Sequence, residues 1–474
     1  MTRFITPLSA CALLLSASPM LAQQPTVRVA STRADSTVVA TDSTKPAAKP
    51  DSTPAPKKAP AKAPRFILPV AEIQYIRHAD QRGINVYESP KEEGVPYTGF
   101  KLNWGAAFTQ QFQNLTHENT AAPKLVGGVD ANQLIPIGSG FNNADANLFL
   151  NVQVARGIRV AVESYASARH HQESWIKDGY FLIDASPIEN SFLDALMQYM
   201  TVKVGHFEVN YGYQHFRRSD NGQTIYNPFV GNFIIDAFTT EIGAEAYLRS
   251  EGLMLMLGMT GGEVHGQVTA PGRRGPTYLA KIGADEQLTN DLRIRLTGSM
   301  YKTDRSVNNT LTSGDRAGSR YYDVLENISS TETANAWSGA LQSGMGNMVT
   351  AFAVNPFVKY RGFEFFGDAE TITGAGAAEL SRRTLHQVVG EGLYRFAGDK
   401  LYVGGRYNVV KGELANIPND ITVNRAQVGG GWFVTPNVLS KIEFVRQTYS
   451  DFPTTDIRNG GRFQGFLVEG VVAF

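Results

Sequence analysis

The stretch Gly461–Phe474, GRFQGFLVEGVVAF, decides the fold. Phe474, Val472, Gly470, Val468 and Phe466 fall on one face of an extended strand, and Ala473, Val471, Glu469, Leu467 and Gly465 on the other, a period of two. The first face is apolar or small throughout, whereas the second admits Glu469. A strand with an apolar outer stripe that stops on an aromatic residue resembles the closing strand of a bacterial outer-membrane barrel, and the resemblance implies that Phe474 serves as its assembly signal. The competing reading is an amphipathic edge strand of a soluble sheet, and the rest of the chain decides between them.

Working back from this stretch, residues 97–474 break into alternating segments of about ten residues, the signature of a transmembrane barrel. Leu148, Leu150, Val152 and Val154 alternate with polar neighbours, the chain turns at Ala155-Arg156-Gly157, and Ile158, Val160 and Val162 resume the alternation. Similar hairpins turn at Arg249-Ser250-Glu251-Gly252, Arg361-Gly362, Ala397-Gly398-Asp399-Lys400 and Thr435-Pro436-Asn437. Between the hairpins the connections are long and polar. Short turns at one end and long loops at the other predict an all-β antiparallel barrel of about 16 strands, closed so that no strand edge is left unpaired. One connection, Ser186 to Thr201, is long for a periplasmic turn.

The N-terminal region supplies the expected compartment. Arg3, the apolar run Leu8 to Leu15 and Met20-Leu21-Ala22 give residues 1–22 the form of a secretory signal. Leu8-Ser9-Ala10-Cys11 spells a lipoprotein box, but too little apolar chain precedes it. Residues 23–64 are rich in Pro, Ala, Ser, Thr and Lys and poor in large apolar residues, so a disordered periplasmic linker is expected there. A lead-in or short plug is expected at 65–96. Cys11 is the single cysteine of the 474-residue chain, which removes disulfides and thiol catalysis from the mature protein. Lysine plus arginine and aspartate plus glutamate both number 44, a balance that argues against nucleic acid as a partner.

Strand parity also sorts the charges. If each apolar face meets lipid, Arg159, Lys203, Lys281, Arg293, Arg295, Lys359, Arg395 and Arg406 point into the lumen, because Arg or Lys at the lipid midplane costs roughly 2 to 4 kcal/mol. Glu163, Glu364, Glu391, Glu443 and Glu469 accompany them. These charges either form a selectivity ladder or pair across strands. The third long loop carries Phe216, Tyr226, Phe229 and Phe233, enough apolar mass to fold inward as a constriction, and adds Arg217 and Arg218 as anion-contacting candidates.

The run Thr201–Gly212, TVKVGHFEVNYG, followed by a long third loop and about 16 strands, resembles the phosphate-selective porin O and P family. The resemblance implies an anion-selective channel with inward arginines and lysines. No catalytic or metal-ligating pattern is read: the eight histidines, including His170-His171 and His215, lack partners at catalytic spacing. No cofactor and no enzyme activity are therefore expected.

The sequence thus predicts an outer-membrane porin of a diderm bacterium, passing small hydrophilic solutes with a lean to anions such as phosphate. Its expected partners are membrane lipid and lipopolysaccharide, the barrel assembly machinery, small anionic solutes and, by analogy with other pores of this size, two further copies in a homotrimer. The alternative is a structural or adhesive barrel, tethered to the cell wall by its basic linker.

Overall fold

The computed structural model describes residues 71–73, 76–88, 96–167, 174–262, 272, 274–313, 320–331 and 337–474. The expected signal segment at 1–22, the linker at 23–64 and the His170-His171 pair lie outside the described residues.

After a short 3-10 turn at Gln81–Gly83 come four strands: β1 (Lys101–Glu118), the two-residue pair β2 (Leu125–Val126) and β3 (Val129–Asp130), and β4 (Gly140–Ala155). Then come β5 (Ile158–Ser167), β6 (Ser174–Ile183), a short helix α1 (Ser191–Met197), β7 (Met200–Glu208), β8 (Thr240–Ser250) and β9 (Leu253–Thr260). The second half holds β10 (Thr277–Gln287), β11 (Leu292–Thr303), β12 (Met348–Tyr360), β13 (Phe363–Ala375) and β14 (Arg383–Phe396). It ends with β15 (Leu401–Gly412), β16 (Ile421–Thr435), β17 (Val438–Ser450) and β18 (Arg462–Ala473).

Apart from β2 and β3, which pair only with each other, every strand pairs with its sequence neighbour, and β1 pairs antiparallel with β18 to close a barrel of 16 strands. The closing register sets Gln111 opposite Glu469 and Ala107 opposite Ala473. Closure satisfies every ladder N–H and C=O within the wall, which is the condition for strands to cross hydrocarbon.

The two faces of the wall differ as parity demands. Leu253, Leu255, Leu257 and Met259 on β9 are exposed, as are Ile442 and Phe444 on β17 and Phe466, Val468 and Val472 on β18. Lys281, Glu364, Glu391, Glu443 and Glu469 are buried inside. At the rim that carries the short turns, Trp104, Tyr360, Phe363, Tyr394, Phe396, Trp432 and Phe474 face outward. The Trp104 and Phe474 rings meet edge to face at 5.9 Å. An apolar band ending in an aromatic girdle marks the membrane-spanning zone and its periplasmic boundary.

Several strands outrun the limits the alternation suggested. β1 continues through Gln113 and Asn114 to Glu118, and β4 begins at Gly140, so both run into polar sequence. Above the bilayer the outward residues meet water, so polar side chains no longer interrupt a strand. The long connection between β6 and β7 contains α1, capped by the Asn190 side chain accepting from the amides of Phe192 and Leu193. A capped helical turn explains how this periplasmic link is longer than its neighbours without lacking hydrogen-bond partners.

Candidate functional site: the occupied lumen

The third loop, residues 209–239, does not stay outside. It is buried almost throughout and spans the interior from β7 and β8 to the opposite wall. There the Ile234 amide donates to Asn408 Oδ1 at 2.6 Å, the Ile235 amide to Gln387 Oε1 at 2.9 Å and the Val230 amide to Glu443 Oε2 at 2.7 Å. Lys441 Nζ donates to the carbonyls of Thr224 at 2.9 Å and Phe229 at 3.0 Å, and Thr224 Oγ1 to Glu469 Oε1 at 2.8 Å. A buried loop leaves its backbone groups without water, so inward polar side chains of the wall must replace that water. The close fit shows at Gly231, where an added Cβ would lie 2.0 Å from the Tyr321 hydroxyl.

Tyr321 belongs to the connection between β11 and β12, which also enters the lumen. Its hydroxyl donates to Glu443 Oε1 at 2.6 Å, and Arg320 pairs with Asp145 and with Glu469.

A third occupant comes from the N-terminal side. The Gln81 amide donates to the Pro436 carbonyl at 2.9 Å and its side chain to the Asp399 carbonyl at 2.9 Å, which fixes this segment at the periplasmic turns. Arg77 stacks on the Tyr226 ring at 3.6 Å. Tyr87 stacks on Tyr213 at 4.7 Å and meets Phe216 and Phe357 edge-on at 5.6 and 5.5 Å. Burial would raise the Glu88 carboxyl, but Arg295 and Lys281 outweigh it and hold the group well below the usual carboxylate range. Burial, with Lys281 nearby, keeps His215 well below the ordinary histidine value and hence neutral.

The inward cations named from parity all sit on the lumen side, in two settings. Arg395 Nε donates to Glu364 Oε1 at 2.8 Å, and Arg406 Nε to Glu391 Oε2 at 2.8 Å. Lys281 Nζ lies 2.9 Å from Glu88 Oε1, Arg295 pairs with Glu88 and Asp285, and Arg293 Nη2 lies 2.6 Å from Asp285 Oδ2. Lys359, a third exposed, lies 3.9 Å from both Glu364 and Asp399. Arg217 pairs with Glu391 and lies 3.8 Å from Glu364, while Arg218 holds Asp236 at 2.5 Å and Asp220 at 2.6 Å.

Arg159 and Lys203, together with the paired Arg218, line a cavity of about 580 Å³ bounded by the third loop, the segment around residues 77–88 and the inner faces of β5 to β8. Its lining runs from Asn437 and Phe474 at the periplasmic end to Glu163, Asp178, Glu208 and Asp220 deeper inside. Lys203 Nζ lies 3.8 Å from Glu245 and 4.2 Å from the centre of the Phe207 ring. Lys177 stands among the acidic groups, 2.5 Å from Asp220, 3.1 Å from Glu208 and 3.4 Å from Glu163. Arg159 and Lys203 line the cavity together with Asp80 and Glu88, and Lys177 and Arg218 stand among the carboxylates of its inner end. Among the described residues no group of three or more His, Cys, Asp or Glu is arranged to hold a metal ion.

Several of these residues escaped sequence reading for different reasons. Lys441 and Arg425 share the inward face with Glu443 and Gln427, so parity alone would have found them. Lys177 was hidden by a bulge: the pairing steps from Glu163–Asp178 to Ser164–Ile176, so Lys177 and Asp178 are both buried although adjacent in sequence. Arg77, Tyr87, Glu88, Arg320 and Tyr321 lie in segments without periodicity, where no rule assigns an inward side.

No family model matches this sequence. No curated protein matches it either. Among solved structures, the trimer form of OmpT from Vibrio cholerae is similar at 9% identity and a TM-score of 0.48, covering 79% of this chain and 100% of that one. OprB of Pseudomonas putida at high pH gives 10% and 0.48, covering 79% and 94%. An anion-selective porin from Comamonas acidovorans gives 9% and 0.48, covering 79% and 100%. These likenesses are weak, and the barrel plan stands on the strand pairing described above.

Proposed function

We propose that this chain is an outer-membrane channel for the diffusion of small hydrophilic solutes, with the inserted third loop as its constriction and a lean to anions such as phosphate. The observation that carries the reading is the cavity of about 580 Å³ bounded by that loop, the segment around residues 77–88 and β5 to β8. A barrel serving only as an anchor gains nothing from a polar space inside its wall, whereas a cavity of this volume suits one small solute. The anion lean rests on Arg159 and Lys203 towards the periplasmic end, where guanidinium and ammonium groups replace part of an anion's hydration. Arg217, Lys281 and Arg406 take a supporting part in this reading by tying the third loop to the wall, and Arg293, Arg295, Lys359 and Arg395 by pairing with lumen carboxylates around it. With it come outer-membrane lipid and lipopolysaccharide around the apolar band, an assembly machinery that reads the strand ending at Phe474, and a homotrimeric assembly.

Recording from the purified protein in planar bilayers tests the proposal. Discrete conductance steps with anion preference are expected, and Lys203→Glu should shift the reversal potential towards cations. Absence of steps would overturn the channel, and strong cation preference in the parent would overturn the anion lean. The degree to which the lumen is filled favours a second reading, a structural barrel tethered to the cell wall through residues 23–64. Deleting that segment would then abolish wall binding, while a channel would keep conducting.

A further inference from the structure

We infer that the inner wall at β10 and β11 carries a carboxylate-binding site, and that the segment Arg77–Glu88 blocks the lumen by placing its own Glu88 in that site. The inference deepens the channel reading and rests on it. Two cations build the site. Lys281, fully buried on β10, is oriented by donating to Asn210 Oδ1 at 2.6 Å and the Gly212 carbonyl at 2.8 Å, both from the third loop. Arg295, on the adjacent β11, is held by Asp285 at 2.9 Å. The Tyr213 ring lies 4.7 Å from Lys281 Nζ and 4.3 Å from the Arg295 guanidinium, so an aromatic face backs both charges.

Neither cation needs the N-terminal segment for its position, because the wall and the loop already supply it. What they need is charge. Two buried cations repel, and removing their shared anion leaves Arg295 with only Asp285, which Arg293 shares, and Lys281 with the loop's Asn210 and Gly212 oxygens in a water-poor place. Glu88 meets that need with both oxygens: Oε1 accepts from Lys281 and, at 3.1 Å, from Asn210 Nδ2, and Oε2 accepts from Arg295. Next to it Tyr87 lays its ring on Tyr213. The occupant therefore offers a ring and a carboxylate together, and a free carboxylate of that kind has the chemistry to compete for the same place. The rest of the segment is held without a carboxylate–cation pair to the wall: Asn85 bonds Arg217 and Glu364, Arg77 donates to the Phe216 carbonyl at 2.9 Å, the Ala79 carbonyl accepts from Gln223 at 3.1 Å, and Gln81 bonds the Pro436 and Asp399 carbonyls. When a solute takes the carboxylate site, the segment loses its strongest anchor and the periplasmic half of the lumen opens.

The full chain in planar bilayers, with benzoate as probe and benzamide as its uncharged control, tests this. Glu88→Gln and the double variant Tyr87→Ala/Glu88→Lys should conduct several-fold more than the parent, and benzoate should reduce the Glu88→Gln current while benzamide leaves it unchanged. In a Cys11→Ser background, Val86→Cys should react with a membrane-impermeant maleimide faster in benzoate than in benzamide. Variants that conduct like a conducting parent, together with benzoate-independent labelling, would overturn the inference and leave the channel standing. If no form conducts, the channel reading fails, and the labelling experiment alone then decides the carboxylate site: a benzoate-dependent rate supports it and an unchanged rate overturns it.

Discussion

Along β10 to β15 the inward cations meet carboxylates and inserted chain, whereas Arg159 and Lys203, of the same parity on β5 and β7, border a cavity. Arg295, Arg395 and Arg406 end on Glu88, Glu364 and Glu391. Arg159 and Lys203 line the cavity instead. The residue types and the facing rule are shared by both sides, so neither explains the difference. The third loop and the N-terminal segment do. On the β14 to β17 wall Gln387, Asn408 and Glu443 bond the backbone of the third loop, while on the other side the loop reaches Asn147 and Lys177 only through Asp220 to Gly222, so that side keeps a cavity. An inward charge is therefore only a candidate for solute contact, and what packs against it decides whether a solute can reach it.

The largest expected effect is on the packed side. Arg217→Ala leaves Glu391 and Glu364 with one buried partner fewer each, and breaking a buried pair from one end costs about 3 to 5 kcal/mol. Urea unfolding in detergent should show that loss. An unchanged midpoint would mean that the inserted loop contributes nothing to the stability of that side.

An intermediate effect comes from pH, through Glu88. Its folded carboxyl is held well below the ordinary value, so its contribution is complete above the unfolded value of about 4.3 and is lost only as pH falls through the depressed folded value. Maleimide labelling at the Val86→Cys position, measured after brief incubation at each pH and return to neutral reaction conditions, should stay constant from neutral pH down to about 5. It should rise only under more acid incubation. A rise beginning near neutrality would mean that another group holds the segment.

The smallest effect belongs to the open side. Lys203→Met removes cation–ring contacts at 4.2 and 4.6 Å, a 3.2 Å hydrogen bond to the Glu208 carbonyl and a distant pairing to Glu245, which keeps its bonds from the Asn210 amide and the Tyr247 hydroxyl. A change of about 1 kcal/mol in unfolding free energy is expected. A loss as large as that for Arg217→Ala would erase the distinction between the two sides.

How much of this was legible before the structure follows from where periodic restraint acts. Alternation assigned Glu469 and Lys281 to the lumen and Phe474 to the lipid face, and the structure places them there, because a strand between water and hydrocarbon has one acceptable facing. The same logic was available for Lys441 and Arg425 and was not carried to them. It could not reach Lys177, which a bulge turns inward against parity, nor Glu88 and Arg320, which lie outside any strand.

The sequence by itself determined the closed barrel, its strand number and the two faces of its wall, since lipid outside and backbone hydrogen bonding within allow a chain so patterned little else. Only the tertiary structure decided which inward charges are engaged and where space remains. That outcome depends on how aperiodic segments pack against a distant wall, and no local pattern records contacts between residues such as Glu88 and Arg295, separated by 207 positions in the chain.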